Sequence, residues 1–494
     1  MLLLIRVKMK KTNDLSAVGD MPTSEFREYG HQLVDWIADY LEGIENYSVL
    51  PNVKPGEIKS NLPSNPPEKS ESMEIVMKDF EDKIIPGITH WNHPNFMAYF
   101  NSTSSGPGIL AELLSAGLNV NGMAWHTCPA ATELEEVTLS WFKKMLALPD
   151  HLWGIIYDTA SVSSMHAIAA AREQLNGLML REKGLSGRKD VPHLRLYLSE
   201  QAHFSIDKSA VTLGIGLEGI RKIPVDKDFK MIPAELQKVI NEDRKDGWLP
   251  FCVVATVGTT STTSVDPVKE ISKVCLKENL WLHVDAAYAG TAAVLPEMRW
   301  IFDGIENADS LVINPHKWMF TPIDLSIFYT KKPEVLKRAF SLSAEYLKAS
   351  EEESTNFMDY GIQLGRRFRS LKLWFIIRHF GVEGIRNRIK EHIRLAKEFA
   401  NWIDIHPDFE RMAPTNFGVV CFRAHPKYIN DENKLNVLNE KLLAEINKSG
   451  KLFLSHTKLN GKYVIRISIS GLRTFENHVN STKDLIQEKL QKII

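Results

Sequence analysis

The sequence predicts an α/β fold, a mostly parallel sheet flanked by helices, with a helical segment before it and a small α+β domain after it. Three observations lead there. Between residue 106 and about residue 330, apolar runs of four to six residues alternate with amphipathic helical stretches, as in a layered α/β fold. Phe26, Tyr29, Leu33, Trp36, Ile37, Tyr40, Leu41 and Ile44 recur at helical spacing and give residues 25–45 one wide apolar face. Beyond Arg366 the pattern turns helical, then closes on a hairpin signal at Asn460-Gly461.

The elements follow in chain order. Residues 1–5 are apolar, but Arg6, Lys8, Lys10 and Lys11 end the run before it reaches the length of a signal-peptide core. Residues 1–21 are therefore expected to be disordered. Residues 22–105 form the helical N-terminal segment, with a Pro-, Asn- and Ser-rich connector at 51–67 and a second helix near 73–85. Residues 106–375 make the large α/β domain and 376–494 the small C-terminal one. Beyond Arg366, helices at 371–379 and 382–405 precede a hairpin of strands 451–454 and 463–469.

Composition narrows the function classes. The chain has 494 residues, 44% hydrophobic and 24% charged, with a net charge of −1. That balance argues against nucleic acid or an anionic membrane surface as a main partner. No run approaches the ~20 apolar residues of a membrane span. Cys128, Cys252, Cys275 and Cys421 form no C-x-x-C pair and read as reduced thiols of a cytoplasmic protein, with no metal site expected.

Five stretches carry chemistry. Asn314-Pro315-His316-Lys317-Trp318 follows the apolar run 311–313. Most lysines are solvated surface, yet one set behind a buried strand loses hydration, and its neutral, nucleophilic amine becomes accessible near neutral pH. Asp285 ends the run 281–285 thirty-two residues upstream. It reads either as a structural ion pair or helix cap, or as the carboxylate that keeps the ring nitrogen of pyridoxal phosphate (PLP) protonated. Thr159-Ala160-Ser161 opens an Ala-rich helix after the strand 154–157. Ordinary capping explains it, and so does a phosphate cradle. His203 follows the strand 194–198, packed or solvated by default and able to stack on a cofactor ring. Gly258-Thr259-Thr260 follows the run 251–255 and would set a hydroxyl beside that ring.

Taken together, Thr159-Ala160-Ser161, Gln201-Ala202-His203, the stretch 254–260, the stretch 283–290, the stretch 314–318 and the stretch 364–374 resemble the group II PLP-dependent decarboxylases, and within them the aromatic L-amino-acid decarboxylases. The resemblance runs from about Ser24 to the C-terminus, with the motifs in family order. It implies the fold type I of PLP-dependent transferases, with a seven-stranded sheet, and a homodimer whose N-terminal segments cross onto the partner. Lys317 would hold the cofactor as a Schiff base, Asp285 would pair with the pyridinium nitrogen, and His203 would stack on the ring. Ala287, Thr260 and Gly365 would border the cofactor. Thr159, Ala160, Ser161 and Asn314 would meet the phosphate, and His316 would flank the lysine.

The same resemblance assigns Tyr346 as the proton donor that yields an amine. Relatives with phenylalanine there release an aldehyde, and insect aldehyde synthases carry asparagine at the position of His203. Trp91, Tyr99, Phe100, Asn101 and Ser102 would line the side-chain pocket, with Met123 reaching in from the second subunit. Without the resemblance, those aromatics read as core packing. Aromatic walls suit an aromatic substrate such as tryptophan, tyrosine, DOPA or phenylalanine. In plant members, glycine at the position of Gly365 accompanies indole substrates. Asn101, His126 and Asp158 depart from the family pattern, Asn101 replacing a common proline. The rival readings are an oxidative aldehyde synthase, an aminotransferase or C–S lyase on the same fold, and a non-catalytic relative.

Overall fold

The computed structural model describes residues 19–175, 177–342 and 354–494. The chain divides into two compact units, Met1–His90 and Trp91–Ile494. In the first, the helix Thr23–Glu42 turns its aromatic stripe onto the helix Met73–Asp79 and the turn Phe80–Ile84. Trp36 stacks on Tyr40 at 5.4 Å and meets Phe80 edge-on at 5.3 Å, while its Nε1 donates to Glu81 Oε1 at 2.8 Å. Large rings at helical spacing bury area while their polar tips keep partners. The connector between these helices contains one short helix, Glu57–Ser60.

The second unit is built on a seven-stranded sheet. In chain order its strands are β1 (Trp153–Tyr157), β2 (Leu194–Ser199), β3 (Ile220–Ile223), β4 (Leu249–Thr256), β5 (Trp281–Asp285), β6 (Ser310–Ile313) and β7 (Ser326–Thr330). They lie in the order β1-β7-β6-β5-β4-β2-β3. The β3-β2-β4-β5-β6 pairings are parallel, and only β7 runs antiparallel to its neighbours. Every residue of β2, β5, β6 and β7 is buried, as expected for strands covered on both faces. Successive parallel strands end at one edge, where open α/β sheets bind ligands.

The long helix Ser370–Ile405 breaks at Gly381 (φ 64°, ψ 169°), which divides it where the sequence pattern does. It leads to a four-stranded antiparallel sheet, β10-β11-β9-β8, of β8 (Phe409–Arg411), β9 (Val419–Ala424), β10 (Ser455–Leu459) and β11 (Lys462–Ser468). This sheet packs a second core around Phe399, Leu442, Ile465 and Ile486.

Asn460 and Gly461 carry φ of 51° and 78°, the primed geometry that a two-residue hairpin demands. The first hairpin strand, however, is Ser455–Leu459 and not 451–454. Residues 452 and 454 are buried without pairing in the hairpin, and Phe453 bridges to Phe96. The half-exposed strand Ser-His-Thr-Lys-Leu has the weaker apolar signal but the correct register with β11.

Candidate active site

The site residues follow the carboxyl ends of β1, β2, β4, β5 and β6. Beyond β6 the chain makes a single turn, Pro315–Trp318, capped by Asn314 in extended conformation. Lys317 sits on this turn, half-buried. Loss of hydration lowers its pKa; Asp285 opposes that shift and the charge of Arg466 adds to it. The Lys317 Nζ lies 5.2 Å from the centre of the Phe100 ring.

Asp285 ends β5, buried. Its Oδ1 accepts the Ala287 N–H at 3.1 Å, and Oδ2 has no hydrogen-bond partner among the described residues. One oxygen is thus spent on fixing the carboxylate, and the other is left for a cationic donor. Behind it, His283 Nδ1 meets Ser310 Oγ at 2.9 Å and its Nε2 meets Ser164 Oγ at 3.0 Å. This buried polar chain ties β5 to β6 and to the helix Ala160–Glu173.

His316 is buried and neutral, its pKa pushed down to about 3 by burial and then by the charge of Lys317. The Leu325 N–H donates to its Nδ1 at 2.9 Å, so the ring proton belongs on Nε2. Asn314 places its amide 3.3 Å from that Nε2. A donor must face an acceptor, so the Asn314 carbonyl oxygen, otherwise an orphaned buried atom, turns to Nε2–H. Its NH2 group then remains free to donate to a ligand. The Ser102 Oγ–H donates to the His316 carbonyl at 2.6 Å and holds the lysine turn from the other side.

At the third strand end, Thr159 caps the helix Ala160–Glu173. Thr159 and Ala160 are half-buried and Ser161 is exposed; the Val162 and Ser163 N–H groups turn back to the Thr159 carbonyl, which leaves those of Ala160 and Ser161 for a ligand. Asp158 is engaged elsewhere: it accepts from Gln363 Nε2 at 2.9 Å and from the Thr159 N–H and hydroxyl. His203 is half-buried after β2, its Nδ1 2.8 Å from Ser205 Oγ. Burial lowers its pKa, and Lys317 adds to the effect. Past β4, Gly258 takes φ 90° and a Cβ there would lie 2.5 Å from that of Ala289, so no other residue fits the turn. Thr259 is buried in the turn's own hydroxyl network, which leaves the exposed Thr260 as its free hydroxyl.

The aromatic stretch divides in two. Trp91 stacks on Phe96 at 4.2 Å and on Tyr99 at 6.1 Å, with Trp91 and Tyr99 exposed. Phe100 instead heads a ladder into the core: it stacks on Tyr288 at 3.9 Å, and Tyr288 stacks on Trp318 at 4.8 Å. Asn101 is a correction to the pocket reading. It is 0% exposed, its Nδ2 donates to the Phe96 carbonyl and its Oδ1 accepts from Ser470 Oγ at 3.0 Å. It pins the loop from within and does not face a substrate. Gly365 is exposed, and a Cβ there would meet only Asn121 Nδ2 at 3.8 Å. Met123 is half-buried, its carbonyl accepting from the Met358 N–H at 2.9 Å. Tyr346 lies outside the described residues.

Two groups at the site escaped the sequence reading. Arg466, on β11, lies over Phe100 with its Cζ 4.6 Å from the ring centre. Arg366 forms a buried ion pair with Glu135 at 2.7 Å and donates to the carbonyls of Gly122 and Ile156. An arginine inside an apolar strand was the available signal for the first. The second needs a partner 231 residues away.

A half-buried lysine of lowered pKa, a carboxylate with one free oxygen, a free buried amide donor and an open helix N-terminus are the donor set that a phosphorylated pyridine aldehyde requires. Residues 55–425 match the model of the pyridoxal-dependent decarboxylase conserved domain. The chain belongs to this family, and its cofactor is pyridoxal 5′-phosphate.

It is 40% identical to tyrosine decarboxylase 3 of Petroselinum crispum, over 98% of this chain and 95% of that one. It is 41% identical to phenylacetaldehyde synthase of Arabidopsis thaliana, over 96% and 97%. The structure of Catharanthus roseus tryptophan decarboxylase in complex with L-tryptophan superposes with a TM-score of 0.90 at 37% identity, covering 96% of this chain and all of that one. No helix among the described residues is long and apolar enough to cross a membrane.

Proposed function

We propose that this protein decarboxylates an aromatic L-amino acid and releases the corresponding amine, acting in the cytoplasm as a homodimer. The observation that carries the amine over the aldehyde is Tyr346, a tyrosine where the family resemblance places the proton donor, with His203 in support. Among the relatives are both decarboxylases and an aldehyde synthase, so the assignment rests on these two residues.

The bound cofactor would supply an electron sink for the bonding pair left on Cα as CO2 departs. The chain does the rest. Burial lowers the Lys317 pKa and so favours the amine that would attach the cofactor, and Asp285 Oδ2 would accept from its ring nitrogen. The Asn314 amide and the N–H groups after Thr159 would hold its phosphate, and His203 would stack on its ring. Trp91, Tyr99 and Phe100 offer flat walls to an aromatic side chain, and Gly365, where even an added Cβ would meet only Asn121 Nδ2 at 3.8 Å, adds no bulk beside them. Orientation is the main contribution of such a framework.

The helix Gly106–Leu118 supports the dimer. Leu110, Leu113, Leu114 and Leu118 share one face and are all exposed, an apolar stripe that a second copy would cover. Light scattering on the purified protein checks this, with a monomer contradicting it. For the chemistry, Tyr346→Phe is expected to turn amine output into aldehyde, with one O2 and one H2O consumed and one CO2, one H2O2 and one NH3 released per turnover. Unchanged amine output from that variant sinks the assignment.

A further inference from the structure

Strand β11 reads Lys-Tyr-Val-Ile-Arg-Ile-Ser, and every residue after the first is buried. Among these apolar neighbours stands Arg466, 4% exposed, with no acidic partner at ion-pair distance among the described residues. A guanidinium held so is costly unless something compensates it. Two of its nitrogens are accounted for. Nη1 donates to the carbonyl of Tyr99, and Nε donates to the carbonyl of Ser261 at 3.1 Å. Nη2 is buried with no partner.

The placement of those two carbonyls matters. Tyr99 belongs to the exposed aromatic wall and holds a left-handed backbone (φ 53°). Ser261 follows Thr260 in the turn after β4. One side chain from the small sheet therefore fastens two separate borders of the site. The guanidinium also lies over the Phe100 ring, 4.6 Å from its centre, and the Lys317 Nζ lies 5.2 Å from the same point.

We infer that Arg466 is a positioning residue of this enzyme, fixing the Tyr99–Phe100 wall to the Ser261 turn while holding a permanent positive charge beside the ring that Lys317 faces. The inference rests on the reading of Lys317 and the aromatic wall given above. Two like charges over one ring disfavour each other, and only the lysine can release its proton. Asp285 on β5 favours the charged form of Lys317, and the imidazoles of His203 and His316, both of lowered pKa, lie near enough to feel its charge.

Arg466→Met and Arg466→Lys separate the two roles. The first readout is acetylation of Lys317 by acetic anhydride in the cofactor-free protein across a pH series, followed by peptide mass spectrometry, which needs no turnover. Loss of the charge in Arg466→Met should let Lys317 keep its proton to higher pH, with labelling near pH 7.5 roughly three- to tenfold slower. Arg466→Lys should restore the labelling. The second readout is the substrate KM. A lysine lacks the planar fork that reaches both carbonyls, so Arg466→Lys should raise KM several-fold while kcat falls less.

A folded Arg466→Met protein with a wild-type labelling profile overturns the inference, even if aromatic turnover is normal. Should that variant fail to fold, Arg466→Lys decides: an unchanged KM overturns it and a raised one supports it. If no aromatic amino acid is turned over at all, the proposed function fails, yet the labelling shift still supports or overturns the placement of Arg466.

Discussion

The Ala287 N–H donates to Asp285 Oδ1 at 3.1 Å, so the backbone two residues on from the carboxylate fixes which of its oxygens remains available. Turn geometry of this kind is local, set by the small residues Ala286 and Ala287 after β5. Asp285→Asn preserves shape and removes the negative charge. Its kcat is expected to fall roughly a hundredfold or more, the scale seen when a preorganised electrostatic partner is lost. Cofactor should also be lost faster on dialysis. Steady-state kinetics with saturating cofactor check this, and a drop under about tenfold would remove Asp285 from the central role.

Lys317 is the attachment point we propose. Borohydride reduction of the purified enzyme, digestion and mass spectrometry should find the pyridoxyl group on the peptide carrying Lys317. Lys317→Ala should lose both that adduct and the covalent visible absorbance. Modification at any other lysine would redirect the assignment.

The buried pair Arg366–Glu135 predicts a stability effect. Arg366→Met strands Glu135 inside the protein, an outcome that costs about 3–5 kcal/mol when one partner of a buried pair is removed. Arg394, half-exposed among Glu391, Glu398 and Glu476, is the control, and Arg394→Met should cost under about 1 kcal/mol. Urea unfolding midpoints would separate the two, and equal effects would mean that the buried pair is replaceable.

Acid sensitivity follows from four histidines. Burial pushes His166 and His316 down to about 3, and His283 and His392 down to about 4. In the unfolded chain each takes its proton near pH 6.5, so below that pH the unfolded state binds more protons and stability falls. By pH 5.5 each contributes a loss of about 1.4 kcal/mol. Asp266, pushed up to about 6 by burial, acts in the opposite direction, since its folded form gains a proton as pH falls through 6. The histidines outnumber it, so unfolding midpoints should drop between pH 7.5 and pH 5.5. A flat profile would mean that these imidazoles are not held neutral.

Where a polar residue ended an apolar run, its placement was legible in the sequence. Asp285 closes β5 and Lys317 follows β6, both at the carboxyl edge of the sheet where open α/β folds bind ligands. The parallel sheet and the division at Gly381 were legible for the same reason: period and punctuation are local. What depends on distant pairing was not. Arg466 acts on Tyr99, 367 residues away, and Ser102 acts on His316, 214 residues away. The family resemblance put Asn101 in the pocket, whereas its hydrogen bond to Ser470 draws it into the scaffold. The first hairpin strand was misplaced because an apolar run outweighed a polar strand with one exposed face.

The most direct measurement is product identification by mass spectrometry. Purified enzyme with added PLP would be given L-tryptophan, L-tyrosine, L-DOPA and L-phenylalanine separately, in air, with H2O2 followed in parallel. Tryptamine, tyramine, dopamine or phenethylamine as the main product, without stoichiometric H2O2, is the expected result. Aldehyde accompanied by equimolar H2O2 and ammonia would contradict it and make the protein an oxidative aldehyde synthase despite Tyr346 and His203.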